Sequence, residues 1–97
     1  MTISPEAFKA LLDRSAAFRL LDVRTPAEIA DWNLGGRHIP LEELMNRVEE
    51  ISDWRDEDYV VICGTGLQSQ AAERILRKRG FLHGRNLEGG LNAVLAL

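Results

Sequence analysis

Tyr59-Val60-Val61-Ile62-Cys63-Gly64-Thr65-Gly66-Leu67-Gln68-Ser69 is the stretch on which the reading of this chain turns. Its first four residues are apolar, β-branched or aromatic and uninterrupted, which suits a strand buried on both faces of a sheet and is too short for a helix. The run ends on the only cysteine of the sequence. A loop of small residues follows, and Ser69 can cap a helix reaching Arg79, with Ala71, Ala72, Ile75 and Leu76 as its apolar stripe and Gly80 as its stop. In a parallel sheet, ligands bind beyond the carboxyl ends of the strands, which is where Cys63 falls. Gly64 and Gly66 let the backbone curl and turn successive N–H groups inward. The helix adds unpaired N–H groups and the positive end of its dipole. This combination favours a sulfur-centred anion at Cys63: a thiolate, a persulfide or an oxyanion. A free cysteine also packs inertly at many strand ends. The glycine loop running into a helix brings the chemical reading level with that plainer one.

Working outward, Ser4-Pro5-Glu6 predicts a helix to about Asp13, with Ser4 as N-cap, burying Phe8, Leu11 and Leu12. Phe18 to Val23 predicts a second buried strand. Thr25 or Pro26 opens a short helix through Ala30, and Asn33-Leu34-Gly35-Gly36 is a turn. A brief strand around Arg37 to Ile39 ends at Pro40, and Pro40 to Glu50 reads as a helix carrying Leu41, Leu44 and Val48. A strand near Arg85 to Leu87 and a last apolar helix complete the pattern. Strands alternating with helices predict an α/β fold: an open, mainly parallel sheet with helices on both faces. Ninety-seven residues make one domain, spanning 1–97.

Composition bounds the function. A net charge of −3 gives no reason to expect nucleic-acid binding, and the cluster Arg74, Arg77, Lys78 and Arg79 reads as a solvated helix face. A lone cysteine with His38 and His83 excludes an internal disulfide and makes a structural metal site unexpected. The N-terminus lacks the basic start and apolar run of a signal peptide, and no stretch approaches the roughly 20 apolar residues of a membrane span. The expectation is a cytoplasmic protein without a membrane partner, its thiol kept reduced. Trp32 and Trp54 read as partial core, though an exposed tryptophan would mark a partner surface. His38 reads as a hydrogen-bonded structural histidine.

Leu20 through Glu28, His38 through Leu41 and Val60 through Ser69, taken in order, resemble sequence blocks of the rhodanese family. Leu20-Leu21-Asp22-Val23-Arg24-Thr25-Pro26-Ala27-Glu28 is similar to its signature L-D-V-R-x-P-x-E. His38-Ile39-Pro40-Leu41 is similar to N-I-P-L, and Val60 through Ser69 to V-V-Y-C-R-x-G-x-R-S. Ala71-Ala72, Gly80-Phe81 and Asn86-Leu87-Glu88-Gly89-Gly90-Leu91 resemble the remaining family blocks, so the likeness spans almost the whole chain. It implies a rhodanese-like fold and a sulfurtransferase without metal or organic cofactor. Cys63 would take sulfane sulfur as a persulfide from a small donor or a protein persulfide and pass it to a thiol acceptor. Gly64, Thr65, Gly66, Leu67 and Gln68 would form the anion-binding loop, with Ser69, Asp22 and Arg24 in support; Arg24 with Glu28 also reads as an ordinary i,i+4 ion pair. Departures sharpen the expectation. The family usually has arginine directly after the cysteine and a basic residue or threonine at the sixth loop position. Here Gly64 and Gln68 stand there, which implies weak use of the thiosulfate dianion. Val94 replaces a common tryptophan. A degenerate module that binds a protein partner or senses sulfur is the alternative. A cysteine phosphatase fails on spacing, because Ser69 occupies the place of the phosphate-gripping arginine.

Overall fold

The alternation of apolar residues along the central strand assigns the two faces of the sheet. The computed structural model describes residues 1–15 and 17–97. β4 (Tyr59–Ile62) lies at its centre, and all four of its residues are buried. Tyr59, Val61 and Cys63 point into one cluster with Leu21, Val23, Ala72, Leu76 and Phe81. Val60 and Ile62 point into the other, with Phe8, Leu20, Leu87 and Leu91. A strand walled on both sides has no polar face to show, which is why it reads as a continuous apolar run.

Five strands pair in the order β1-β5-β4-β2-β3, all parallel: β1 (Thr2–Ile3), β2 (Arg19–Asp22), β3 (Arg37–His38), β4, and β5 (Gly84–Leu87). α4 (Leu67–Lys78) covers the first face through Ala72 and Leu76. α1 (Pro5–Asp13) and α5 (Gly90–Leu95) cover the second through Phe8 and Leu91. Burying a leucine of this kind contributes roughly 1.5–3 kcal/mol. α2 (Pro26–Asp31) follows β2.

The chain leaves β2 toward β3 on one side and leaves β4 toward β5 on the other. β2 and β4 are neighbours, so a crevice opens beyond their carboxyl ends, at the point where the connections diverge. The residues just after these strands, Val23-Arg24 and Cys63-Gly64, flank that crevice.

The caps of α1 and α2 follow the sequence. Ser4 accepts from the Ala7 N–H at 3.1 Å, and Thr25 with Glu28 forms a reciprocal capping box. α4 stops where expected: Gly80 N–H donates to Arg77 O and Phe81 N–H to Leu76 O. Two expectations fail. Residues 40–50 do not form one helix. A 3-10 turn (Leu41–Glu43), a single turn α3 (Leu44–Arg47) and a kinked 3-10 stretch (Val48–Trp54) run on to residue 54. Leu41 to Leu44 and Val48 to Ile51 are each three apart, the repeat of a 3-10 helix, and Ile51 breaks the helix at φ −119°. Trp54 packs on the core as expected, but Trp32 is 39% exposed.

Tyr59 is 1% exposed and its hydroxyl has no hydrogen-bond partner, the only such buried side-chain atom among the described residues. Burial raises its pKa above the ordinary value. A raised folded value means full stability below the tyrosine's ordinary pKa of about 10, lost progressively as pH rises above it. Tyr59→Phe keeps the packing against Trp54 and Phe81 and removes the orphan hydroxyl. It is expected to gain about 1 kcal/mol, a rise in Tm of roughly 4–8 °C, and to flatten the alkaline limb of a stability–pH curve. A variant less stable than wild type in calorimetry would show that the hydroxyl is satisfied.

Candidate functional site at the end of the central strand

Cys63 is 1% exposed at the carboxyl end of β4. Its sulfur receives the Gly66 N–H at 3.0 Å and the Ser69 N–H at 3.3 Å. Gly66 makes the first contact possible by taking φ +93°, a left-handed conformation that turns its amide back over the sulfur. A Cβ there would also lie 3.1 Å from Gly89 N and 3.3 Å from Leu87 O, so the loop is pressed against the turn after β5. That turn holds it in place. The Leu91 N–H donates to Cys63 O at 2.9 Å and the Asn92 N–H to Gly64 O at 3.0 Å.

The helix after the loop begins earlier than the sequence predicts. Gly66, not Ser69, is the N-cap of α4, and Ser69 is its third residue. The Ser69 hydroxyl is fully buried: its one proton has two acceptors in reach, Asn86 Oδ1 across the fold and Gly66 O one turn back, and its oxygen lies 3.4 Å from the Cys63 sulfur. A side chain so engaged cannot cap.

Of the expected anion-binding loop, Gly66 alone gives an N–H to the sulfur; the second comes from Ser69. The Thr65 hydroxyl accepts from the Leu67 N–H, and Leu67 and Gln68 are exposed. Gly64 borders a cavity of about 170 Å³ in the crevice, lined also by Arg24, Glu28, Asp31, Trp32 and Asn92. The Glu28 carboxylate faces the cysteine loop: Oε2 lies 3.8 Å from where a Cβ on Gly64 would stand.

Arg24 and Glu28 do not pair. Arg24 is buried and holds Asp22 with two nitrogens, at 2.9 and 3.1 Å, while Asp22 also accepts the Arg24 backbone N–H. Arg24 further donates to Trp32 O and lies 4.8 Å over the Trp32 ring. Glu28 is engaged with Thr25 instead. Asp22 and Arg24 are thus joined into a strut that carries the backbone from β2 to the end of α2, and the guanidinium charge is neutralised inside it. His38 donates its Nε2–H to Arg24 O at 2.8 Å, the structural role expected of it. Arg37, the other basic residue near this edge, is exposed and paired with Glu50. Asn86 and Glu28 are the residues a reading of the sequence missed: each meets the cysteine loop through tertiary contact alone.

The family model for the rhodanese-like domain matches residues 4–97, and the chain belongs to that family. It is 38% identical over 90 residues to the putative sulfur carrier protein YrkF of Bacillus subtilis, a match covering 92% of this chain and 48% of that protein. The chain therefore spans about half the length of that relative. It is 33% identical over 92 residues to a sulfurtransferase of Allochromatium vinosum, covering 94% of this chain and 84% of that one. The crystal structure of a rhodanese-related protein from Thermoplasma volcanium superposes with a TM-score of 0.81 at 29% identity, covering 98% and 90% of the two chains. The five-stranded parallel sheet is the fold of these neighbours. No helix among the described residues is long and apolar enough to cross a membrane.

Proposed function

We propose that this chain is a sulfurtransferase that carries sulfane sulfur as a persulfide on Cys63. The observation that carries the proposal is the pair of backbone N–H groups fixed on the Cys63 sulfur, at the crevice where a parallel sheet binds its ligands. Relatives named as a sulfurtransferase and a putative sulfur carrier support the same chemistry. The Cys63 thiolate attacks the outer sulfur of a donor, and the donor's own bond to that sulfur breaks, its electron pair leaving with the donor. An acceptor thiolate then attacks the outer sulfur and displaces Cys63 as thiolate. No external oxidant is consumed. Intact-mass measurement after exposure to thiosulfate and to a small-molecule persulfide tests this: one added sulfur on the protein is expected, and none from any donor would sink it.

The cavity bears on the donor. Its carboxylates, Glu28 and Asp31, have no basic partner within 4.0 Å among the described residues, and its one cation, Arg24, is spent on Asp22. A dianion is repelled here, so a persulfide of low charge is the better donor. Gly64→Arg alone is expected to improve thiosulfate turnover only a few-fold, because the new guanidinium pairs with the Glu28 carboxylate. Gly64→Arg with Glu28→Gln, which keeps the capping box, should release that guanidinium for the donor and add roughly 1.5–3 kcal/mol of binding, about ten- to a hundred-fold. Equal thiosulfate rates for the single and double variants would remove Glu28 from the account.

A second reading, a module acting through protein contacts, has one observation in its favour. Trp32, Leu34 and Leu95 are exposed beside the cavity. A wild type that takes no sulfur would leave that reading standing.

A further inference from the structure

We infer that Asn86 sets the direction of the Ser69 hydroxyl proton and thereby helps Cys63 exist both as thiol and as thiolate. Ser69 and Asn86 are then positioning residues for the sulfur chemistry proposed above, on which this inference rests for its role in transfer.

The three side chains form a buried line: Cys63 is 1% exposed, Ser69 fully buried and Asn86 8% exposed. With the Ser69 O–H given to Asn86 Oδ1, its nearest acceptor, rather than to Gly66 O at 3.2 Å, Ser69 Oγ is open to the Cys63 S–H at 3.4 Å. Along this side-chain line the protons run away from the sulfur, and this suits a neutral thiol. Once the thiol ionises, sulfur can only accept. The Gly66 and Ser69 N–H groups already face it, and the Ser69 hydroxyl is within reach to give a third bond. That hydroxyl has one proton. Swinging it to the sulfur leaves two oxygens, Ser69 Oγ and Asn86 Oδ1, in close contact with no proton between them. A half-turn of the Asn86 amide resolves the conflict. Its Nδ2–H donates to Ser69 Oγ, the Ser69 O–H donates to sulfur, and the line is reversed. An amide serves both directions because one carbon carries an acceptor and a donor. A carboxylate serves only the first.

Delivery of the outer sulfur to an acceptor is the step that gains. As the bond between the outer sulfur and Cys63 breaks, its electron pair settles on the Cys63 sulfur, and the reversed line donates to that developing charge.

Alkylation of Cys63 by iodoacetamide in the folded protein tests the inference without any sulfur donor, with melting curves run alongside. Losing a bond worth about tenfold in thiolate population, partly offset by the higher reactivity of a more basic thiolate, should slow Ser69→Ala roughly threefold near pH 7. At about pH 10, where thiols ionise unaided, the variant should equal or exceed wild type. Asn86→Asp, which fixes the Ser69 proton on the carboxylate, should be slowed at least as much near pH 7. Asn86→Ala releases the Ser69 proton from Oδ1, leaving sulfur and Gly66 O to compete for it, and should be slowed clearly less than Ser69→Ala. Should Asn86→Asp fail to fold, the contrast between Ser69→Ala and Asn86→Ala carries the same comparison. A folded Asn86→Ala as slow as Ser69→Ala, or a Ser69→Ala deficit persisting at about pH 10, would overturn the inference. In sulfur-loaded protein, transfer to β-mercaptoethanol should be about tenfold slower in Ser69→Ala. A wild type that alkylates as described but takes up no sulfur would overturn the transferase reading alone.

Discussion

Cys63→Ser is expected to take up no sulfur from any donor while keeping the wild-type fold. The chain has no other cysteine, so no second thiol can carry the persulfide. A serine oxygen at this point inherits the Gly66 and Ser69 N–H donors and accepts them at least as well as sulfur does. Its own proton can go to Ser69 Oγ, as the thiol proton does. With these bonds made and little change in size, the stability difference should stay within about 1 kcal/mol. What is lost is reactivity. The hydrogen-bond partners of the Cys63 side chain are two backbone amides and a serine, with no histidine or carboxylate among them to act as base. A serine activated by no base is a poor nucleophile at neutral pH, whereas a thiol is partly ionised without help. Intact mass and a thermal melt of the variant decide the matter. Added sulfur on Cys63→Ser would place the carrier elsewhere, and collapse of the fold would make Cys63 a packing residue first.

The strand–cysteine–loop–helix unit was legible because its signals are local. An apolar run of four, two glycines and a helical stripe occupy consecutive residues, and the sheet accepted them as written. The caps at Ser4 and Thr25 and the stop at Gly80 were legible for the same reason. β1 was not. Two residues, Thr2 and Ile3, have no periodicity of their own and become a strand only by pairing with Asn86 and Leu87. The segment after Pro40 misled because Leu41, Leu44, Val48 and Ile51 fit an α-helical stripe loosely and a 3-10 repeat in two places, and only packing against the sheet decides between them. At the site, the expectation named the amides of every residue from Gly64 to Gln68, whereas those on the sulfur are Gly66 and Ser69. Ser69 was placed at a helix cap because serine caps helices, but its contact with Asn86 bridges 17 positions of sequence, and no local pattern records that. Glu28 was paired with Arg24 on spacing. The buried carboxylate of Asp22, two residues away on the strand, offered Arg24 a closer and better shielded partner.

Gly90→Ala is expected to damage the site without touching Cys63. Gly90 opens α5 at φ +67°, and a Cβ on it would stand 2.5 Å from the Gly64 carbonyl carbon and 2.6 Å from Gly66 N. These are backbone atoms of the cysteine loop, so no side chain can swing aside to make room. Either α5 lifts away, breaking the bonds from the Leu91 and Asn92 N–H groups to Cys63 O and Gly64 O, or the loop opens and carries the Gly66 N–H off the sulfur. Left-handed strain costs about 1–2 kcal/mol and overpacking about 1–3 kcal/mol, so a loss near 3 kcal/mol and a fall in Tm of roughly 12–24 °C are expected. Sulfur loading at a temperature where the variant is still folded should fall by at least tenfold, since a displacement of about 1 Å at a reacting centre can cost a hundredfold. Gly35→Ala separates the two causes. Gly35 also has a positive φ, +83°, but a Cβ there meets nothing within 4 Å. It should lose about 1–2 kcal/mol from strain alone and load sulfur at the wild-type rate. Wild-type loading by folded Gly90→Ala would show that the clasp between α5 and the cysteine loop is dispensable, and that the two N–H groups hold the sulfur without it.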